Sequence, residues 1–141
     1  MPQGSFTSPN YPDTYPDEAD CPTRITTTAD YRILLVFLDV DLEELGGNQC
    51  YPGFDGIDIY DSYKEDGDKL IGQVCGTEPE QTVFTSSGDS MFVHFTSDAS
   101  IGGTGFNAIF YTYPGNYINC SQFVLSRESG VSNPGRVIRR L

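Results

Sequence analysis

An all-β domain, built as a sandwich or a barrel, is the fold class this sequence predicts, and three observations predict it. Apolar and aromatic residues fall in short runs that alternate with polar ones, the period of a strand with one buried face. Turn-rich connectors separate these runs every 10 to 15 residues, the rhythm of strands joined by tight turns. Gly and Pro together fill 24 of 141 positions, which suits turns and disfavours helix. The length fits a single domain able to bury its own core.

Taken in order, residues 4–22 (GSFTSPNYPDTYPDEADCP) are dense in Pro, Tyr and Asp and read as an extended segment or a series of turns pinned by tyrosines. Residues 33–41 (ILLVFLDVD) form a β-branched and aromatic run ending in acids, long enough for a buried strand and too Asp-rich for a stable helix. Residues 57–60, 91–95 and 106–111 are further strands by alternation. The segments GGNQCYPGFDG, SYKEDGDK, CGTEPEQ, SSGD and SDASIGGTG are the connectors. After Tyr113 the alternation is lost and positive charge appears, which puts a domain boundary near residue 114: a domain over 1–113 and an extension over 114–141.

The formal net charge is −12. Residues 1–126 carry four basic and 19 acidic groups, whereas residues 127–141 carry four basic and one acidic. An acidic body argues against nucleic acid, whose phosphates are bound by Lys and Arg, and favours cations or basic proteins. No apolar run approaches the roughly 20 residues that span a bilayer, and the opening MPQGSFTSPNYP lacks the regions of a signal peptide. The compartment is therefore read from the four cysteines, Cys21, Cys50, Cys75 and Cys120. They form no CxxC pair and no Cys/His cluster, so disulfides in an oxidising, extracellular setting are the better use than zinc or redox chemistry. Asn119 opens a glycosylation sequon with Cys120 and Ser121.

Enzyme signatures are missing from the sequence. His94 is the only histidine, and alternation turns it away from Met91, Val93 and Phe95, as a histidine on the outer face of a sheet. There is no GxSxG, HExxH or phosphate-cradling Gly loop with Lys. The chemistry-bearing pattern lies in carboxylates at strand ends: Asp39, Asp41, Glu43 and Glu44 close one strand, Asp55 precedes the next, and Asp98 follows another. Brought together they would repel, unless a cation neutralises them. Ca²⁺ is the natural ion, being hard and taking about 6 to 8 oxygen ligands with tolerant geometry.

The run GSFTSPNYP with Tyr15-Pro16 and Cys21, then FLDVDLE, Cys50, Phe54-Asp55 leading into IDIYD, Cys75-Gly76, Ser86-Ser87, FTSDAS and Gly105-Phe106, resembles the CUB domain family over about residues 4–113. The resemblance implies a two-sheet antiparallel β-sandwich, jelly-roll-like, in a secreted or extracellular protein, serving adhesion or complex assembly and not catalysis. It implies Ca²⁺ bound by Glu43, Asp55, Asp98 and the backbone carbonyl of Ser100, with Tyr15 buttressing Glu43. It also implies a disulfide between Cys50 and Cys75. Cys21 matches one partner of the family's first disulfide, whose other partner would precede the SPNYP segment. Cys120 begins a stretch resembling the start of another CUB domain, and otherwise could pair with Cys21.

Three departures stand out: the connection from Glu43 to Asp55 is long, Ile101 stands where some members add an Asn ligand, and Thr23 stands where Trp is common. The functional expectation is a calcium-dependent protein-interaction module whose acidic rim takes Lys or Arg of a partner. The alternatives are a carbohydrate-binding module using Tyr51, Tyr60 or Tyr63 as stacking platforms, and a structural spacer in a multidomain protease or receptor.

Overall fold

A computed structural model of the chain describes residues 3–44, 49–100 and 102–116. The described residues form eight strands: β1 (Gln3–Thr7), β2 (Asp20–Thr26), β3 (Tyr31–Asp41), β4 (Gly56–Tyr60), β5 (Leu70–Val74), β6 (Val83–Thr85), β7 (Ser90–Thr96) and β8 (Gly105–Pro114). One 3-10 turn at Gly67–Lys69 precedes β5, capped by the Asp66 side chain. The strands make two four-stranded sheets, ordered β1-β8-β3-β6 and β2-β7-β4-β5, and every pairing is antiparallel. The expected sandwich is thus present.

The core lies between the sheets. Ile33, Leu35 and Phe37 of β3 and Phe106 and Ala108 of β8 face Ile57 and Ile59 of β4 and Met91, Val93 and Phe95 of β7, the i, i+2 spacing that puts alternate side chains on one face. His94 falls on the outer face between buried Val93 and Phe95. The β3 run is apolar on both faces because β3 is an inner strand, flanked by β8 and β6. Leu34, on its outer side, is buried beside Tyr111 and Thr85 in the paired strands.

Two features carry the fold towards its functional end. The β3–β8 register shifts between Phe37 and Asp39, a bulge that leaves Leu38 exposed and re-aims the acidic end of β3. A run of ring contacts then crosses the core, Phe84–Phe37, Phe37–Phe106, Phe106–Phe95 and Phe95–Tyr15, with centroids 5.1–6.1 Å apart. Such edge-to-face pairs add to area burial, and here they end on a tyrosine whose hydroxyl reaches the candidate site.

Candidate metal centre

Three carboxylates meet at one end of the sandwich. Glu43 follows β3, Asp55 immediately precedes β4, and Asp98 lies two residues beyond β7. Each offers one oxygen, and these oxygens all lie within 4.8 Å of one another. Glu43 is 7% exposed and Asp55 2%, while Asp98 is half-buried. The antiparallel order explains the convergence: β4 pairs with β7, so the start of β4 lies beside the end of β7, with Gly56 opposite Thr96.

Hydrogen bonds hold the cluster in place. The Tyr15 hydroxyl donates to Asp55 Oδ2 at 2.5 Å and accepts from the Glu43 amide at 3.2 Å. Asp55 Oδ1 accepts from the Asp98 amide at 2.7 Å, and Asp98 Oδ1 accepts from the Ser100 amide at 3.0 Å. The segment between β1 and β2 straps the Asp98 loop: Glu18 N donates to the Asp98 carbonyl, Ala19 N to Ser97 Oγ, and Ser97 Oγ to the Pro16 carbonyl, all at 2.8 Å. On the loop's far side Thr104 donates to Asp41 Oδ2 from both its amide and its hydroxyl. Gly103 is needed there, since a Cβ would stand 2.3 Å from the Asp41 carbonyl oxygen.

One polar atom of the cluster has no partner. Glu43 Oε1 is buried without a hydrogen bond, and a buried unpaired carboxylate oxygen is costly. Burial, with the charges of Asp98 and Asp55 adding, pushes the Glu43 carboxyl above the usual range. Burial also raises Asp55, against the lowering bonds from Tyr15 and the Asp98 amide. Burial and its bond to Asp55 raise the Tyr15 hydroxyl, which stays a neutral donor. An all-oxygen set, two-thirds buried and burdened by its own negative charge, fits a hard metal cation.

Of the acids noted at strand ends, Asp39, Asp41 and Glu44 stand outside this cluster. Asp39 accepts from Tyr11 at 2.6 Å, Asp41 holds Thr104, and Glu44 accepts from Thr77 at 3.1 Å. Ser100 is exposed; Ile101 lies outside the described residues, as do Asn119, Cys120 and the extension beyond Asn116. Cys50 and Cys75 are joined by a disulfide with Cα atoms 5.5 Å apart. Cys21 is a free, half-buried thiol among the described residues, held in its protonated form by burial and by Asp20. Tyr51 and Tyr63 are exposed, but Tyr60 is 5% exposed and offers no open stacking face. The strap at Pro16–Ala19 and the Asp41–Thr104 anchor were not foreseen, because they join residues 63 to 81 positions apart.

Comparison with known proteins adds the family context. A family model of the CUB domain matches residues 1–110. Tolloid-like protein 2 of Homo sapiens is 36% identical over 111 residues, covering 78% of this chain and 10% of the relative. Cubilin of Canis lupus familiaris is 35% identical over 122 residues, covering 86% of this chain and 3% of cubilin. The chain therefore spans a tenth or less of these curated relatives. Among solved structures, the MASP-1 CUB2 domain bound to Ca2+ matches with a TM-score of 0.65 and 28% identity, over 78% of this chain and 92% of that one.

Proposed function

The chain belongs to the CUB domain family, and from that premise we propose that it is a non-catalytic, extracellular protein-interaction module, ordered by Ca²⁺, whose acidic rim receives Lys or Arg of a partner. The observation that carries this reading is the convergence of Glu43, Asp55 and Asp98 around a buried, unpartnered oxygen. Glu43, Asp55, Asp98 and the Ser100 carbonyl would hold the ion, and Tyr15 would support Asp55 from beneath. The chemistry Ca²⁺ supplies is neutralisation of charges that otherwise repel. That a similar CUB domain is described as bound to Ca2+ supports the choice of ion.

Charge supports the choice of partner. Residues 1–126 carry 19 acidic and four basic groups, and the ion pairs found among the described residues are those of His94 with Asp20 and Glu65. No Lys or Arg of the described residues neutralises a carboxylate at the rim. A cationic side chain from outside would meet acceptors already desolvated and aimed, which is where charge-assisted bonds gain most. We further propose that this domain ends near residue 113, that residues 114–141 lead into a neighbouring unit, and that Asn119 carries a glycan.

The test is binding of a lysine- or arginine-bearing partner, measured in Ca²⁺ and again in chelator. Affinity that falls with salt and disappears on chelation is expected. A partner insensitive both to chelator and to Asp98→Ala places the interface elsewhere.

A further inference from the structure

Beside the metal centre a cavity of about 390 Å³ opens on the outer side of the β4–β5 pair. The Cys50–Cys75 disulfide, Tyr51, Phe54, Asp58 and Gln73 line it, and Asp55 contributes to its wall on the side of the metal centre. Tyr51 and Phe54 are 42% and 43% exposed, a large apolar outlay for neighbouring surface positions on a chain this acidic. Asp58 sits opposite Gln73 across the β4–β5 pairing, and Gln73 Nε2 donates to Asp58 Oδ1 at 2.9 Å.

Asp58 Oδ2 is less well served. Its donor is the Tyr60 hydroxyl at 3.4 Å, which also lies 3.3 Å from Glu65 Oε2. No Lys or Arg pairs with Asp58 among the described residues. A carboxylate can accept about four hydrogen bonds, so this one keeps capacity for a strong donor. Aromatic surface beside an under-used carboxylate, in a body of 19 acids to four bases, is complementary to a planar cation. A guanidinium stacks on aromatic rings and donates in a fork, which an ammonium does not. A neutral sugar could donate its hydroxyls to the carboxylate but would leave the negative charge uncompensated.

We propose that this cavity is a guanidinium pocket, taking an arginine side chain of a partner against Tyr51 and Phe54 with Asp58 as its anion and Gln73 holding that carboxylate in place. The proposal rests on the reading of the module as a receptor for basic partners and adds to it a second subsite, independent of the metal. The disulfide, not the ion, fixes one wall, so the pocket is expected to work in chelated protein.

The experiment is an NMR titration of the chain with N-acetylarginine amide, N-acetyllysine amide and methyl glucoside, each in excess chelator and in excess Ca²⁺. The arginine amide is expected to shift backbone amides of residues 51–58 and 73 in both buffers, with a dissociation constant on the order of millimolar, as suits one side chain. The lysine amide is expected to bind about fivefold or more weakly, lacking the fork and the stack. Asp58→Asn, which keeps the shape and the partner of Gln73, should weaken the arginine amide by about tenfold, the loss of a charge-assisted bond. Shifts produced by the glucoside and not by arginine would overturn the proposal in favour of a saccharide site. Arginine shifts confined to Glu43 and Asp98, or present only with Ca²⁺, would assign the binding to the metal rim. Absence of any shift would overturn it outright. Binding in chelator by a chain whose stability ignores Ca²⁺ would sustain the pocket while refuting the calcium reading.

Discussion

Replacing Asp98 by Asn should move the stability of the domain in opposite directions with and without Ca²⁺. Two unit charges 4.8 Å apart, the outer limit for the cluster, repel by about 3.5 kcal/mol at an effective dielectric constant near 20. Three ionised carboxylates would hold three such repulsions, relieved in part by the raised pKa of Glu43 and Asp55. Asn keeps an Oδ1 for the Ser100 amide and leaves the Asp98 backbone bond to Asp55 in place. In chelator at neutral pH, Asp98→Asn should therefore stabilise the fold, by about 1 to 2 kcal/mol once solvent screening at a half-exposed position is allowed for.

With Ca²⁺ the sign reverses. An ion that binds only the folded state at 100 times its Kd contributes about 2.7 kcal/mol, which raises Tm by roughly 10 °C for a domain of this size. Asp98→Asn removes a ligand and most of that rise. Differential scanning calorimetry of both proteins in chelator and in millimolar Ca²⁺ reads all four values. A variant less stable than the parent in chelator would refute the repulsion argument, and a parent whose Tm ignores Ca²⁺ would refute the metal reading itself.

Tyr15→Phe keeps the ring that packs on Phe95 but removes a donor to Asp55 and an acceptor from Glu43 N. It should cost about 1 to 3 kcal/mol for the polar groups left unpaired, seen as a lower urea midpoint, and weaken Ca²⁺ less than Asp98→Ala does in calorimetric titration. Because the folded-state pKa values of Glu43 and Asp55 are raised, the chelated domain keeps protons that the unfolded chain has released. Its stability should be fullest below the ordinary carboxylate range and fall as pH rises through the raised values. Ca²⁺ should flatten that fall, and a chelated protein whose Tm climbs with pH across this window would contradict it. Converting both Cys50 and Cys75 to Ser opens a cross-link over 25 residues of sequence. About 3 to 4 kcal/mol should be lost by the loop-entropy argument, and non-reducing peptide mapping of the parent should recover the two as one linked fragment.

The strands legible in the sequence were those whose alternation or apolar density is strong: β3, β4, β7 and β8, all four of them inner strands. The four edge strands were harder to read. β1 is short and largely polar, β2 is largely polar and carries Pro22 within it, β6 has three residues, and β5 carries exposed Leu70 and Ile71 followed by Gly72. Gly72 makes sense only in three dimensions, since a Cβ there would stand 2.3 Å from the Phe84 ring of the other sheet. At the site, Glu43, Asp55 and Asp98 were nameable because strand ends and family motifs mark them. The exclusion of Asp39 and Asp41 was not, because each is claimed by a distant partner, Tyr11 or Thr104. The burial of Tyr60 likewise follows from packing against Phe92 in the neighbouring strand, which no local pattern announces.

The pairing of β1 with β8 joins the first described strand to the last, with Gln3 opposite Tyr111. Ser8 locks that seam: its amide donates to the Phe106 carbonyl and its hydroxyl accepts from the Phe106 amide. Gly105, at a φ of 95°, leaves no room for a Cβ beside Ser8. On a ribosome the chain emerges from its N-terminus, so β1 waits for almost the entire domain before it finds a partner. Tyr15 follows β1, and its amide finds its acceptor only in the Gly103 carbonyl, just before β8. All three carboxylates are synthesised before Gly103, so the tyrosine that bonds Asp55 and the Glu43 amide takes its full set of partners after them. Under the calcium reading proposed above, competence to bind the ion would be a late event in the life of the nascent chain.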